Sequence, residues 1–235
     1  MANYIGQIEK AYNAIYDYLM NKCENRDFYH ACIKSDIKNL SKSSIYYDTN
    51  DLFDVMLSLK ETIQQNAAKE SGNGGLRKAM LNVLKRGKGR YQMLEKAYVE
   101  DGYTMVCDSY TFIRTKRNVD IPTHESDVKW MNWRGLIPNL EEREEFPSPS
   151  VSELKQHIKL NAKNPRYLAE NWTPFYEIVR DGSGELIARV NAKYLLDALE
   201  AMNGTDYKFY AKDSITPIFM QNSDGECALV CPIRV

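Results

Sequence analysis

The sequence predicts an α+β fold, and three observations carry that reading. Apolar residues recur at three- and four-residue spacing through much of the first 70 residues. Strand-length runs bounded by turn residues follow from about residue 93. Between the two textures lies Ser71-Gly72-Asn73-Gly74-Gly75, which cannot pack a core and reads as a linker. The expected organisation is a helical N-terminal module over 1–70, a linker over 71–75 and one domain over 76–235.

In the module, Ile8, Ala11, Tyr12, Ile15, Tyr18 and Leu19 give one helix a single apolar face. Asn50 and Asp51 are placed to cap a second helix, whose stripe is Leu52, Val55, Met56, Leu59 and Ile63. After the linker, Leu76, Met80, Val83 and Leu84 form the buried face of a helix over 76–87. Arg77, Lys78, Lys85 and Arg86 occupy much of the remainder, and Lys88, Arg90 and Lys96 extend the basic surface. Two strands follow, over 93–99 and 103–107, joined by Glu100-Asp101-Gly102, whose Asp-Gly pair suits a tight hairpin. Ser109 to Thr115 continues as strand.

Residues 121–183 read as an irregular insertion, interrupted at Pro122, Pro138, Pro147 and Pro149. Within it Ser150 or Ser152 caps a short helix through Val151, Leu154 and Ile158. Tyr176 to Val179 and Leu186 to Val190 flank Asp181-Gly182-Ser183-Gly184 as a hairpin. The second strand runs into a helix beginning after Asn191 and stopping near Gly204.

A chain of 235 residues with 43% hydrophobic content buries a sizeable core. The formal net charge of -1 requires that any nucleic-acid contact come from local clustering of Lys and Arg. The first residues lack the basic start and apolar core of a signal peptide, and no apolar run reaches membrane-spanning length, so a cytoplasmic protein is expected. Cys23, Cys32, Cys107, Cys227 and Cys231 are odd in number with no CxxC spacing, which argues against a disulfide framework and a zinc site. His30, His124 and His157 have no second ligand at helical spacing, so neither metal nor cofactor is expected.

Catalysis finds little support. In Glu141-Glu142-Arg143-Glu144-Glu145 the carboxylates are adjacent and solvated, unlike an acid/base pair in an apolar setting. Cys107 beside Asp108 has no histidine at a recognisable spacing. Gly72, Gly74 and Gly75 lack the Lys-Ser/Thr of a phosphate loop. Trp130, Trp133, Tyr167 and Trp172 could stack a base or peptide, but more often such residues anchor an irregular segment to the core.

The C-terminal residues carry a family resemblance. Asn191, Tyr194, Leu195, Leu196, Asp197, Ala198 and Leu199 fill an "NxxYLLDAL" pattern; Asp213, Ile215, Thr216, Pro217 and Ile218 fill "D-x-hydrophobic-S/T-P-hydrophobic"; Val230, Pro232, Ile233, Arg234 and Val235 fill "hydrophobic-x-P-hydrophobic-R-hydrophobic". This resembles the end of bacterial sliding clamps, the beta subunit of the replicative DNA polymerase. Val106 to Phe112 is similar to the family's "ATDGHRL" segment, with Asp108 in agreement and Cys107, Tyr110 and Thr111 departing from its threonine, histidine and arginine. The two clamp-like parts are residues 76–120 and 184–235. Bacterial clamps repeat such a domain within one chain, whereas only one is legible here, as in short clamp-like reading frames of phages and mobile elements.

The resemblance implies a DNA-clamp-like domain and a non-catalytic role in DNA replication. A clamp holds duplex DNA through backbone electrostatics, a task for Arg77, Lys78, Lys85, Arg86, Lys88 and Arg90. It also docks short peptides of replication proteins in an apolar pocket, which on this sequence draws on Asp108, Tyr110, Phe112, Val230, Pro232, Ile233, Arg234 and Val235. A one-domain chain surrounds a duplex only as a closed homo-oligomer. The alternative is a clamp-shaped interaction module or regulator that does not encircle DNA. The basic helix distinguishes the two.

Overall fold

The computed structural model describes residues 8, 10–17, 44–125, 128–164 and 174–233, with side chains omitted over 44–54. Expectations resting on the side chains of Tyr18, Leu19, Cys23, His30, Cys32, Leu52, Tyr167, Trp172, Arg234 and Val235 lie outside the described residues. Two compact units divide the chain, Met1–Ser71 and Gly72–Val235.

In the first unit residues 10–17 are helical, with Ile8 buried and Tyr12 and Ile15 half-buried. Helix α1 spans Ser44–Glu70. It begins well before Asn50 and Asp51, so those residues lie within the helix and not at its N-terminus. Met56 is buried and Leu59 and Ile63 half-buried, whereas Val55 faces solvent.

The second unit is α+β. Helix α2 spans Gly74–Gly87, so Gly74 and Gly75, expected in the linker, open the helix instead. The sheet strands are β1 (Tyr98–Glu100), β2 (Tyr103–Cys107), β3 (Thr111–Thr115), β4 (Glu144–Phe146), β7 (Tyr207–Ala211), β8 (Ile218–Asn222) and β9 (Cys227–Val230). A separate hairpin pairs β5 (Phe175–Val179) with β6 (Leu186–Asn191). The further helices are α3 (Val151–Asn161) and α4 (Ala192–Met202).

Seven strands form one antiparallel sheet in the order β1-β2-β3-β9-β8-β7-β4. Period-two alternation points successive side chains to opposite faces, and the inner strands β2, β3, β8 and β9 bury residues on both. Val106, Ile113, Ile218, Met220, Ala228 and Val230 meet the stripes of α2 and α4, including Met80, Val83, Leu195 and Leu199. Met105, Cys107, Phe112, Phe219, Cys227 and Leu229 face the other way and are covered by Leu94, Trp130 and Trp133. Burying both faces explains why strand residues that would be polar in a one-sided sheet are apolar here. The indoles of Trp130 and Trp133 bond the Met93 carbonyl and the Glu100 carboxylate, and so anchor the irregular segment to the core.

Local chemistry sets the corners. Asp101 and Gly102 both take positive φ, 52° and 75°, as a two-residue hairpin loop requires. Asn191 caps α4, its side-chain oxygen accepting the N–H groups of Lys193 and Tyr194. Ser150 and Glu153 form a reciprocal capping box on α3. Asp213 to Pro217 do not form strand. The Asp213 carboxylate accepts the N–H groups of Ile215 and Thr216, turning the chain just before β8.

Candidate functional site: an apolar pocket beside a basic helix end

The β2–β3 loop builds one wall of a pocket. Asp108 is fully buried, and its Oδ1 accepts the N–H groups of Tyr110 at 2.9 Å and Thr111 at 2.6 Å. That turn holds Ser109 at φ 77°, a left-handed value uncommon outside glycine. The loop tip thereby comes to rest beside the end of β9, where the Cys231 N–H donates to the Tyr110 carbonyl at 2.8 Å.

Cys107, Ser109, Tyr110, Thr111, Phe112, Leu229 and Cys231 line the sheet side of a pocket of about 300 Å³. Gly135, Leu136, Pro138, Arg143 and Pro217 line the other. It lies on the face covered by Trp130 and Trp133, since Cys107, Phe112 and Leu229 belong to that layer. Arg143 is half-buried, its guanidinium donates to the Pro217 carbonyl at 2.5 Å, and burial lowers its pKa. No aspartate or glutamate lines the pocket. The Cys107 thiol is pushed by burial up to about 11, and burial also raises Cys231.

Asp108 itself is not available to a ligand. Its Oδ2 lies 2.5 Å from Arg86 Nε, and Arg86 Nη1 lies 2.5 Å from Asp197 Oδ2 on α4. Asn82 donates to the other Asp197 oxygen at 2.8 Å. Burial raises the Asp197 carboxyl above its ordinary range, opposed by its bonds to Asn82 and Arg86. Burial alone would lower the Arg86 pKa, but the two carboxylates more than offset it. Arg86 also sits 4.4 Å from the Tyr194 ring centre, Tyr194 stacks on Tyr110 at 5.9 Å, and Arg90 lies 5.0 Å from the Tyr110 ring.

No family model matches this chain, and no curated protein matches it. Among solved structures it is similar to bacterial beta clamps. The Helicobacter pylori beta clamp bound to a DNA ligase peptide is 15% identical, with 68% of this chain and 62% of that chain covered and a TM-score of 0.46. The same clamp in complex with 3,4-difluorobenzamide is 13% identical, with 68% and 63% covered and a TM-score of 0.45. The DNA polymerase III beta chain from Streptococcus pneumoniae is 14% identical, with 57% and 41% covered and a TM-score of 0.37. This chain thus spans less than two thirds of the length of each.

Of the residues drawn from the family pattern, Tyr110 and Phe112 line the pocket and Asp108 supports its wall. Val230 is fully buried on the helix-facing side of β9; its neighbours Leu229 and Cys231 are the pocket residues. Pro232 bridges Val190, and the Ile233 N–H donates to the Arg189 carbonyl at 2.7 Å, so both belong to a clip onto β6. β9 is not a free edge, because β3 and β8 pair its two sides. A peptide therefore cannot join it as an added strand.

The basic set divides similarly. Lys78, Lys85, Lys88 and Arg90 are exposed. Arg77 is 1% exposed with its Nε donating to the Asp120 carbonyl at 2.9 Å, and Arg86 is committed to Asp108 and Asp197. Neither lies on an open basic face, because the chain after β3 takes up Arg77 and the β2–β3 loop together with α4 takes up Arg86. Leu136, Pro138, Arg143 and Pro217 carry no periodic signal and were not legible as pocket residues. Leu229 and Cys231 were missed as well, although strand parity, which places them opposite Val230, is the signal that could have found them.

Among the described residues no group of three or more His, Cys, Asp and Glu could hold a metal ion. No described helix is long and apolar enough to cross a membrane. The acidic run is engaged at the surface, with Glu142 on Lys212, Glu144 on Arg180 and Glu145 on Lys208.

Proposed function

We propose that this protein is a non-catalytic binding protein of DNA replication, serving a phage or mobile element, that captures a short apolar peptide of a partner. The carrying observation is the pocket of about 300 Å³, where Tyr110 and Phe112 from the clamp-like loop meet Leu229 and Cys231 beside the clamp-like terminus. A concave, mostly apolar cleft with a few fixed polar groups is suited to one or two anchoring side chains.

Duplex binding is a second component, resting on the four exposed cations Lys78, Lys85, Lys88 and Arg90. They offer a salt-dependent, sequence-independent attraction for phosphates, and a homo-oligomer would be needed to surround a duplex. The inward engagement of Arg77 and Arg86 favours the alternative of a clamp-shaped interaction module that does not encircle DNA.

The test is selection of a random dodecapeptide library on the immobilised full chain, with counter-selection on Cys231→Phe, whose ring would fill the pocket. Enrichment on the parent alone is expected. Equal enrichment on both proteins, or none on either, overturns pocket capture. Solution mass by light scattering, with and without a short duplex at low and moderate salt, decides the second component: a closed oligomer retaining duplex with steep salt dependence supports encirclement, and indifference to DNA leaves the interaction module.

A further inference from the structure

We infer that the pocket takes its peptide in an acidic context: an apolar anchor enters the cleft while aspartate or glutamate beside it meets Arg90 at Tyr110, with the exposed Lys88 two residues away in sequence. The inference rests on the pocket reading above and names the chemistry of its occupant.

The pocket and the basic helix end share a residue. Tyr110 lines the cleft, and the Arg90 guanidinium lies 5.0 Å from the centre of that same ring. Arg90 and Lys88 are exposed, and neither forms an ion pair with a described residue. The nearby carboxylate in sequence, Glu95, is turned onto the Gly89 N–H at 3.2 Å. Asp108, directly beneath the loop, is neutralised by Arg86 at 2.5 Å.

The opposite wall repeats the sign. Arg143 lines the cleft, and no acidic residue does. The Arg143 guanidinium is held by the Pro217 carbonyl and interacts with the carboxylates of Asp213 and Glu142, so the exposed cation that an occupant meets is Arg90 at Tyr110, with no acidic residue in the lining itself. A basic peptide would bring like charges together there, whereas an acidic flank would find exposed partners already held near an aromatic ring.

Duplex DNA could use Arg90 and Lys88 as well, but it offers no apolar group for the cleft that adjoins them. Two withdrawn arginines also reduce what the helix presents to a phosphate backbone. The combination of apolar cleft and cationic rim fits a peptide better.

The experiment uses one pocket-dependent peptide from the selection, resynthesised with three flanks: Asp-Glu-Asp, Ser-Gly-Ser and Lys-Arg-Lys on either side of the anchor. Fluorescence anisotropy on the full chain reads each affinity at low and moderate salt. Because an exposed pair is worth at most about a fivefold change in affinity, two pairs predict roughly a tenfold preference for the acidic flank over the neutral one, shrinking as salt rises. The double variant Lys88→Glu/Arg90→Glu is expected to abolish or reverse the preference, read as the ratio of acidic-flank to neutral-flank affinity on the same variant, so that any change in the pocket wall through Tyr110 cancels. Equal affinity for all three flanks, or a preference untouched by the double variant, overturns the inference and leaves pocket capture standing. A failed selection removes pocket capture itself, and the inference with it.

Discussion

Arg86 Nε meets Asp108 Oδ2 at 2.5 Å, while the second oxygen of that carboxylate holds the N–H groups of Tyr110 and Thr111. A side chain from helix α2 thereby fixes the loop that walls the pocket. Through Nη1 and Asp197 the same guanidinium ties in α4. Substituting Arg86→Met leaves two buried carboxylates without their cation and is expected to cost about 3–5 kcal/mol, measured by urea unfolding. Arg86→Lys keeps the charge but not the fork, and should recover only part of that loss. A loss below 1 kcal/mol for Arg86→Met would show the pair to be dispensable.

Gly87 closes α2 against the start of the pocket. A Cβ there would stand 2.8 Å from the Leu94 carbonyl oxygen and 3.2 Å from that of Cys107. Both are backbone atoms, so relief requires moving β2 or the turn at Leu94. Gly87→Ala is expected to destabilise by about 2–4 kcal/mol in thermal or urea unfolding, despite the better helix propensity of alanine.

Glu226 gathers the turn between β8 and β9. Its carboxylate accepts from Thr115 Oγ1, the Lys116 N–H and Asn222 Nδ2, and pairs with Arg117. Burial alone would raise its pKa, but these bonds and the Arg117 charge bring it below the ordinary 4.5. A carboxyl depressed in the folded state adds stability that is present above its unfolded pKa and lost as pH falls through the folded one. Glu226→Gln should therefore reduce stability at pH 7 and flatten the acid limb of the stability profile below about pH 4.5, read from urea midpoints between pH 3 and 7. An unchanged acid limb would exclude the linkage.

Three described thiols differ in reach. Burial pushes Cys107 and Cys227 each up to about 11, while Cys231 is half-buried at the pocket. In a Cys23→Ser/Cys32→Ser background, one equivalent of a maleimide is expected to label Cys231 first at pH 8, with mass spectrometry locating the adduct. A pocket-dependent peptide should slow that labelling. Preferential modification of Cys107 would contradict the described packing.

Much of the architecture was written locally. Asn191 ahead of an apolar stripe and Asp101-Gly102 between strands each state their conformation in a few residues, and each adopts it; of the two caps open for α3, Ser150 and Ser152, the box with Glu153 selects Ser150. The site was legible only in part because it depends on what lies across from each residue. The spacing of Leu76, Met80, Val83 and Leu84 predicts one buried stripe on α2, yet Asp120 on one side and Asp108 with Asp197 on the other draw Arg77 and Arg86 inward. Likewise Val230 has the right composition for a pocket and the wrong parity. Pro138, Arg143 and Pro217 reach the cleft through irregular chain whose course no periodicity encodes.

The central position of β9 has a consequence for biosynthesis. Residues Tyr98–Thr115 and Glu144–Asn222 can emerge from the ribosome as two separate half-sheets, each with an inner border, at β3 and at β8, besides its outer edge at β1 or β4. Neither border has its partner until Cys227–Val230 arrives, and that single strand then seals both, in register with Phe112 on one side and Phe219 on the other. The unit completes its sheet like a keystone arch, and a nascent chain halted at residue 226 would carry two adhesive seams, at β3 and at β8, in addition to the outer edges that the finished sheet keeps at β1 and β4.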